Sequence, residues 1–254
     1  MCLVTLAFQT HPHYPLVVVA NRDEFYERPT AAAGFWSDHP NLLAGRDLEA
    51  GGTWFGVNKA GRWATVTNFR GGAIMADLSR GGLPSSYLHD NSPELSQYFH
   101  NVLAEGERYS GFNLLAGTVN ELAYCNNLNN EVQSLAPGIY TLSNDLLDTP
   151  WPKAELARDT LEHALRMDTL RSEDLVSVLA SRHCFPDGHL PDTGIGIEME
   201  RTLSPPFIVA HAYGTRCTTV LLIDNEGKVE FAEQTFLRGK PQGDIRQYRF
   251  ATES

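Results

Sequence analysis

The chain has few cysteines and nothing that organises them. Cys2, Cys125, Cys184 and Cys217 lie far apart, with no CxxC pair and no His/Cys spacing of the zinc kind, so neither a disulfide framework nor a structural metal is expected. That usage fits a reducing compartment. No apolar stretch approaches the roughly 20 residues a membrane helix requires. The opening "MCLVTLAFQTHPHYP" turns polar after Phe8 and lacks the basic start and small-residue cleavage site of a secretory signal, so the expected location is cytoplasmic. Positive charge is also scarce: 20 Lys+Arg against 31 Asp+Glu leave a net charge of −11. With no basic run, that balance argues against nucleic acid or an anionic membrane as partner. The GxGxxG and Walker phosphate loops are missing, and "GIGIE" at Gly194 has neither a preceding strand nor a third glycine. At 254 residues the chain buries a core without staples. No repeat, linker or low-complexity block divides it, so one domain spanning 1–254 is expected.

Apolar runs without strict alternation, "CLVTLAF" and "PLVVVANR", predict strands covered on both faces. "TWFGVNKAGRWATVTNF" reads as a hairpin around Asn58 to Gly61. A helix is expected from Ser92 as cap and Pro93 as first residue, then a hairpin from "FNLLAGTV" and "ELAYCNN", and a strand in "GIYTLSN" that stops at Asn144. A second helix is expected from Thr149 and Pro150, with Leu156, Leu161 and Leu165 inward, and a shorter one from Ser172 to Arg182. Residues 183–206, rich in proline and glycine, predict a long loop. "PFIVAHAYG" and "TRCTTVLLIDNEGKVEFAEQTF", turning at Asp224 to Gly227, return to strands. Strands and helices in separate blocks predict an α+β layered architecture rather than a doubly wound parallel sheet.

Cys2 directly follows the initiator methionine. Either it is an inert strand cysteine, or removal of Met1 gives it a free α-amine of pKa about 8, able to act as general base for its own thiol. A thiol nucleophile also needs a nearby cation and donors for a developing oxyanion. "ANRDEF" sets Asn21, Arg22, Asp23 and Glu24 immediately after Val17 to Ala20, which reads as a polar rim at a strand exit or as a local Arg/Asp pair. Asn68 and Asn144 close two predicted strands, as turn residues or as amide donors. Arg216 heads another strand, as a salt-bridge partner or as an anchor for a substrate carboxylate or thiolate. Trp54, with the other tryptophans, serves as core or pocket wall. His11, His13 and His211 are structural or ligands to a haem iron.

"MC" at the start, "ANRDEF..RP" at 20–29, "GGTWFGVNKAGRWATVTN" at 51–68, "GFNLLAG" at 111–117, "YTLSNDLLDTPWPK" at 140–153 and "YGTRCTTVLLID" at 213–224 resemble the NRDE family, which includes transport and Golgi organization protein 2. The similarity is collinear from Met1 to about Phe236. The resemblance implies a four-layer αββα sandwich of antiparallel sheets like that of the N-terminal nucleophile hydrolases, with Cys2 as nucleophile. By likeness to the choloylglycine hydrolase and penicillin V acylase group, it implies attack on an amide, ester or thioester of a small amphipathic molecule. Arg22 and Asp23 would flank the thiol, Asn144 would form the oxyanion hole, Arg216 would lie near the nucleophile, and Asn21, Asn68 and Trp54 would contact substrate. In those hydrolases the arginine and aspartate are separated, whereas here they are adjacent, and neighbours on a strand point to opposite faces. Either the strand ends at Asn21, or Glu24 takes the carboxylate role, or that role is missing. Family context also implies haem or acyl-CoA and lipid handling without turnover. No cofactor is required, with haem expected only as a ligand.

Overall fold

The computed structural model of the protein describes residues 2–70, 76–89 and 93–253. In chain order the first elements are β1 (Cys2–Phe8), β2 (Leu16–Phe25), β3 (Thr30–Phe35), β4 (Leu42–Asp47), β5 (Phe55–Asn58), β6 (Trp63–Asn68), α1 (Gly82–Leu88) and α2 (Leu95–Ala104). They are followed by β7 (Phe112–Gly117), β8 (Leu122–Asn126), β9 (Val132–Ser134), β10 (Gly138–Leu142), α3 (Pro152–Ala164) and α4 (Ser172–Leu175). The chain closes with α5 (Ile197–Thr202), β11 (Tyr213–Ile223), β12 (Lys228–Leu237) and β13 (Lys240–Ala251). Two compact units result, Met1–Glu27 with Pro137–Arg249, and Arg28–Ala136 with Phe250–Ser254.

The first unit is built on a six-stranded antiparallel sheet of order β10-β1-β2-β11-β12-β13. One face of that sheet, carrying Leu3, Ala7, Val17, Val19, Val220 and Leu222, packs with Ala157 and Leu161 of α3 and with Leu175 and Leu179. β1 and β2 are buried along almost their whole length, as their unalternating apolar runs predict. The second unit is a seven-stranded antiparallel sheet in chain order β3 to β9. Its Ala64, Val66, Leu114 and Ala116 pack with Leu83, Tyr87, Tyr98 and Phe99 of α1 and α2. The predicted hairpins form: Gly61 (φ 77°) closes β5–β6 and Gly227 (φ 75°) closes β11–β12, a left-handed conformation that glycine adopts at no steric cost.

Several boundaries differ from the sequence expectation. The helix expected from Thr149 starts at Pro152, because Trp151 precedes a proline and is held extended (φ −69°, ψ 141°). Its Leu161 is buried, while Leu156 and Leu165 are half-buried. The helix expected over Ser172 to Arg182 is one α-helical turn followed by a 3-10 segment, Val176–Leu179, a tightening that the stiff valines 176 and 178 favour. α2 begins at Leu95, with Pro93 outside it, and the predicted cap Ser92 falls outside the described residues. The 183–206 loop contains α5, and "PFIVAHAYG" joins a strand only from Tyr213. Ser79–Arg80–Gly81 turn the chain into α1, with Gly82 N–H on Ser79 O and Leu83 N–H on Arg80 O.

Candidate active site

Three ladders meet at the start of β1. Cys2 pairs with Arg22 on β2, and Arg22 pairs on its other side with Cys217 on β11. Paired residues in an antiparallel ladder share a face, so Cys2, Arg22 and Cys217 form one row. This face is opposite the one that packs on the helices, since Leu3 belongs to the helix-facing core. On the other side of β1 the last pair is Val4 with Leu142. β10 ends there, and Asn144, fully buried, lies two residues beyond in the bend that follows. Cys2 itself is half-buried.

The polar run expected at a strand exit lies inside the strand: β2 continues to Phe25, and Asn21, Arg22 and Asp23 are all buried. That correction answers the adjacency of Arg22 and Asp23. Arg22 shares the Cys2 face, while the Asp23 side chain is held from β11, where Thr215 Oγ1 donates to Asp23 Oδ1 at 2.6 Å. Thr215 Oγ1 in turn accepts the Ile208 N–H at 2.9 Å, and Tyr213 Oη donates to the Asp23 carbonyl at 2.8 Å. Glu24 is directed back onto its own neighbour, its Oε1 accepting the Phe25 N–H, so Asp23 is the buried carboxylate here. The pairing of β2 with β11 slips between Thr215 and Cys217, leaving Arg216 as the extra residue of a bulge, a device common beside functional sites. Arg216 is half-buried and donates from Nη1 to Phe25 O at 2.7 Å. Burial lowers its pKa, and the like charge of Arg22 adds to this.

Burial raises the Cys2 thiol above its ordinary value, and the charge of Asp23 adds to the rise. Arg22 and a hydrogen bond with the Asp23 backbone work in the opposite direction without overcoming it. Such a thiol keeps its proton at neutral pH and needs a base at the moment of attack. Burial raises Cys217 more strongly, followed by the nearby charge of Glu233.

The other expected residues have partners and places of their own. Asn21 faces the helix side: its Nδ2 donates to Leu179 O (3.0 Å) and Pro206 O (2.9 Å), and its Oδ1 accepts from Thr218 Oγ1 (2.6 Å). Its amide thus ties the end of the 3-10 segment and the Pro206 loop to the strand. Asn68 and Trp54 belong to the second unit. Asn68 is half-buried at the end of β6, and Trp54 is buried over Gly45, where a Cβ would stand 2.4 Å from the indole. His11 accepts the His13 and Tyr14 N–H groups at Nδ1 and donates from Nε2 to Met167 O, so its ring is engaged as a turn brace. Thr215 escaped the sequence reading because its role depends on the bulge register, and "GTRCTT" gives no local sign of it.

A family model described as "Transport and Golgi organisation 2" matches residues 1–238. The chain belongs to that family. It is 36% identical to the transport and Golgi organization protein 2 homolog of Bos taurus over 95% of each chain. It is 32% identical to the Homo sapiens homolog over the full length of both, and 28% identical to the Drosophila melanogaster protein over 96% of this chain and 95% of the other. Among solved structures it is similar to the C2A mutant of conjugated bile acid hydrolase from Clostridium perfringens, with a TM-score of 0.53 at 9% identity over 99% of this chain and 98% of the other. It is also similar to a Caenorhabditis elegans N-acylethanolamine-hydrolyzing acid amidase ortholog, with a TM-score of 0.51 at 9% identity over 87% and 92%. These likenesses give the chain the fold of the N-terminal nucleophile hydrolases. They leave its chemistry to be argued from the residues.

Proposed function

We propose that this member of the Transport and Golgi organisation 2 family is a hydrolase-like protein of the N-terminal nucleophile type, acting through Cys2 on an amide, ester or thioester of a small amphipathic molecule. The observation that supports the reading is the row of Cys2 and Arg22 on paired strands, with the buried Asn144 just past the end of the neighbouring β10. Removal of Met1 exposes the Cys2 α-amine. As the sulfur bonds to the substrate carbonyl carbon, its proton passes to that amine and the carbonyl electron pair moves onto oxygen. The Asn144 side-chain amide donates to the oxyanion and the Arg22 cation favours the charge. Collapse breaks the bond to the leaving group, which takes the proton from the α-ammonium. Water then hydrolyses the thioester and restores the thiol. A thiol whose pKa is raised is compatible with this sequence because its own amine serves as the base. The names of the structural neighbours, an N-acylethanolamine-hydrolyzing amidase and a conjugated bile acid hydrolase, support an amphipathic acyl compound as substrate class. Four free cysteines support a reducing, cytoplasmic setting, and among the described residues no helix is long and apolar enough to cross a membrane.

Intact-mass measurement combined with a fatty-acyl p-nitrophenyl ester probe tests the reading. The expected result is a Met1-free chain that gains one acyl group at residue 2, with no adduct in Cys2→Ala. Retained Met1, or non-covalent uptake of the probe with no adduct, would overturn it in favour of a ligand carrier, of acyl compounds or of haem.

A further inference from the structure

The loop that carries Asn144 leaves the sheet at Leu142 and runs through Ser143 to Leu147. Among the described residues β10 is the edge strand of its sheet, and no strand pairs with Thr141 on its outer side. Asp148 takes that place. Its backbone N–H donates to Thr141 O at 2.8 Å, and its Oδ1 accepts the Thr141 N–H at 2.7 Å. A single residue thus satisfies both outward groups of Thr141 and closes residues 142–147 into a ring. Thr141 is itself fixed on its inner side by pairing with Thr5 of β1, three residues along from Cys2. The ring is therefore referenced directly to the strand that carries the nucleophile.

Two further features fit this task. Asp148 is left-handed (φ 58°), a conformation aspartate tolerates better than most residues because its short side chain bonds local backbone. The same Oδ1 also accepts Arg158 Nη2 at 2.6 Å and Thr141 Oγ1 at 3.4 Å, so α3 supports the clamp from behind. At the other end of the ring Asn144 is fully buried, with Ser143 Oγ near its Oδ1 at 3.4 Å. We propose that Asp148, backed by Arg158, is a positioning residue that holds the Asn144 amide where the carbonyl oxygen of an acyl group on Cys2 will develop charge. This rests on the hydrolase-like reading and deepens it. Displacement by even about an ångström weakens such a donor strongly.

Two reagents separate positioning from mere folding. Acylation by the p-nitrophenyl ester passes through an oxyanion and needs Asn144, whereas alkylation of Cys2 by iodoacetamide does not. Asp148→Ala is expected to slow acylation by roughly 10- to 100-fold, as one lost oxyanion donor does, with iodoacetamide alkylation within about twofold of wild type. Asn144→Ala should match it, and the double variant should be no slower than Asn144→Ala alone, because both remove the same interaction. Asp148→Asn, which keeps an acceptor for Thr141 N–H and tolerates the left-handed backbone, should recover most of the rate. Arg158→Gln alters only a half-exposed side chain and should fold even where Asp148→Ala does not. Its expected loss is smaller, about 3- to 10-fold in acylation alone. Acylation of Asp148→Ala and Arg158→Gln at the wild-type rate, or additive losses in the double variant, would overturn the positioning role while leaving the hydrolase-like reading intact. A wild-type chain that alkylates at Cys2 but never acylates overturns that reading, and the positioning role with it.

Discussion

Cys2 and Arg22 face each other across the β1–β2 ladder, Cys2 half-buried as a residue and Arg22 buried. Their pairing is set by main-chain hydrogen bonding along seven residue pairs of an antiparallel ribbon. No loop intervenes, so the cation is held as rigidly as the sheet itself. Sites built on strands in this way keep closer tolerances than sites on loops.

The first prediction concerns the charge on that pair. Burial raises the Cys2 thiol while Arg22 pulls it down, so Arg22→Met removes a lowering influence. The alkylation rate of Cys2 against pH should then move its midpoint to higher pH, with roughly a 3- to 10-fold slower reaction at pH 8. A midpoint that stays in place, or moves to lower pH, would show that Arg22 does not reach the sulfur.

Asn21 offers the contrasting case. It lies one residue from Arg22 but on the opposite face, with three hydrogen bonds to Leu179, Pro206 and Thr218. Asn21→Ala strands two buried carbonyls and a hydroxyl, which should cost about 3 kcal/mol in urea unfolding. The folded fraction should still alkylate at Cys2 at the wild-type rate. Unchanged stability combined with loss of probe binding would instead make Asn21 a ligand contact.

That contrast also marks what the sequence makes legible. Apolar runs and glycine-closed turns announce β1, β2 and the hairpins, since Gly61 and Gly227 carry positive φ and little else fits there. "NRDE" looks like a strand exit because four polar residues rarely sit inside a buried strand. It stays in the strand because Asn21 and Asp23 find long-range partners at Thr218 and Thr215, about 190 residues away, and no local pattern encodes those bonds. β3 and β4, built largely of small residues, carry too weak an apolar signal to be recognised. α1 (Gly82–Leu88) contains both glycine and proline. β13 is polar and mostly exposed, so its composition resembles a tail rather than a strand. Cys2 and Arg22 could be picked out one by one, but their pairing depends on a register that only the folded ladder defines.

In the second unit, Asp38 accepts Arg46 Nη1 and Nη2 at 2.7 and 2.8 Å, and the Arg46 guanidinium lies 4.0 Å from the Trp36 ring centroid. The hydrogen bonds from Arg46 hold the Asp38 carboxyl at about 2. A carboxyl whose folded pKa is depressed stabilises the fold above its unfolded pKa, about 3.9, and that contribution disappears as pH falls through the folded value. Asp38 should therefore titrate near 2 by carboxyl-carbon NMR, and Asp38→Asn should flatten the pH dependence of unfolding only between about pH 4 and 2. An ordinary titration midpoint near 4 would refute the pairing in solution.

The last prediction tests the frame behind the candidate nucleophile. Thr215 Oγ1 is a buried relay that donates to Asp23 Oδ1 and accepts the Ile208 N–H. Thr215→Val keeps the shape and removes both bonds, leaving a carboxylate oxygen short of a donor and an amide without an acceptor, at about 2–3 kcal/mol. Thr215→Ser keeps the hydroxyl and should stay within about 1 kcal/mol of wild type. If the Asp23 backbone is what holds the hydrogen bond to Cys2, the valine variant should also slow acylation at residue 2, with the serine variant restoring it. Equal stability of the two variants would mean that packing, and not the hydroxyl relay, fixes Asp23.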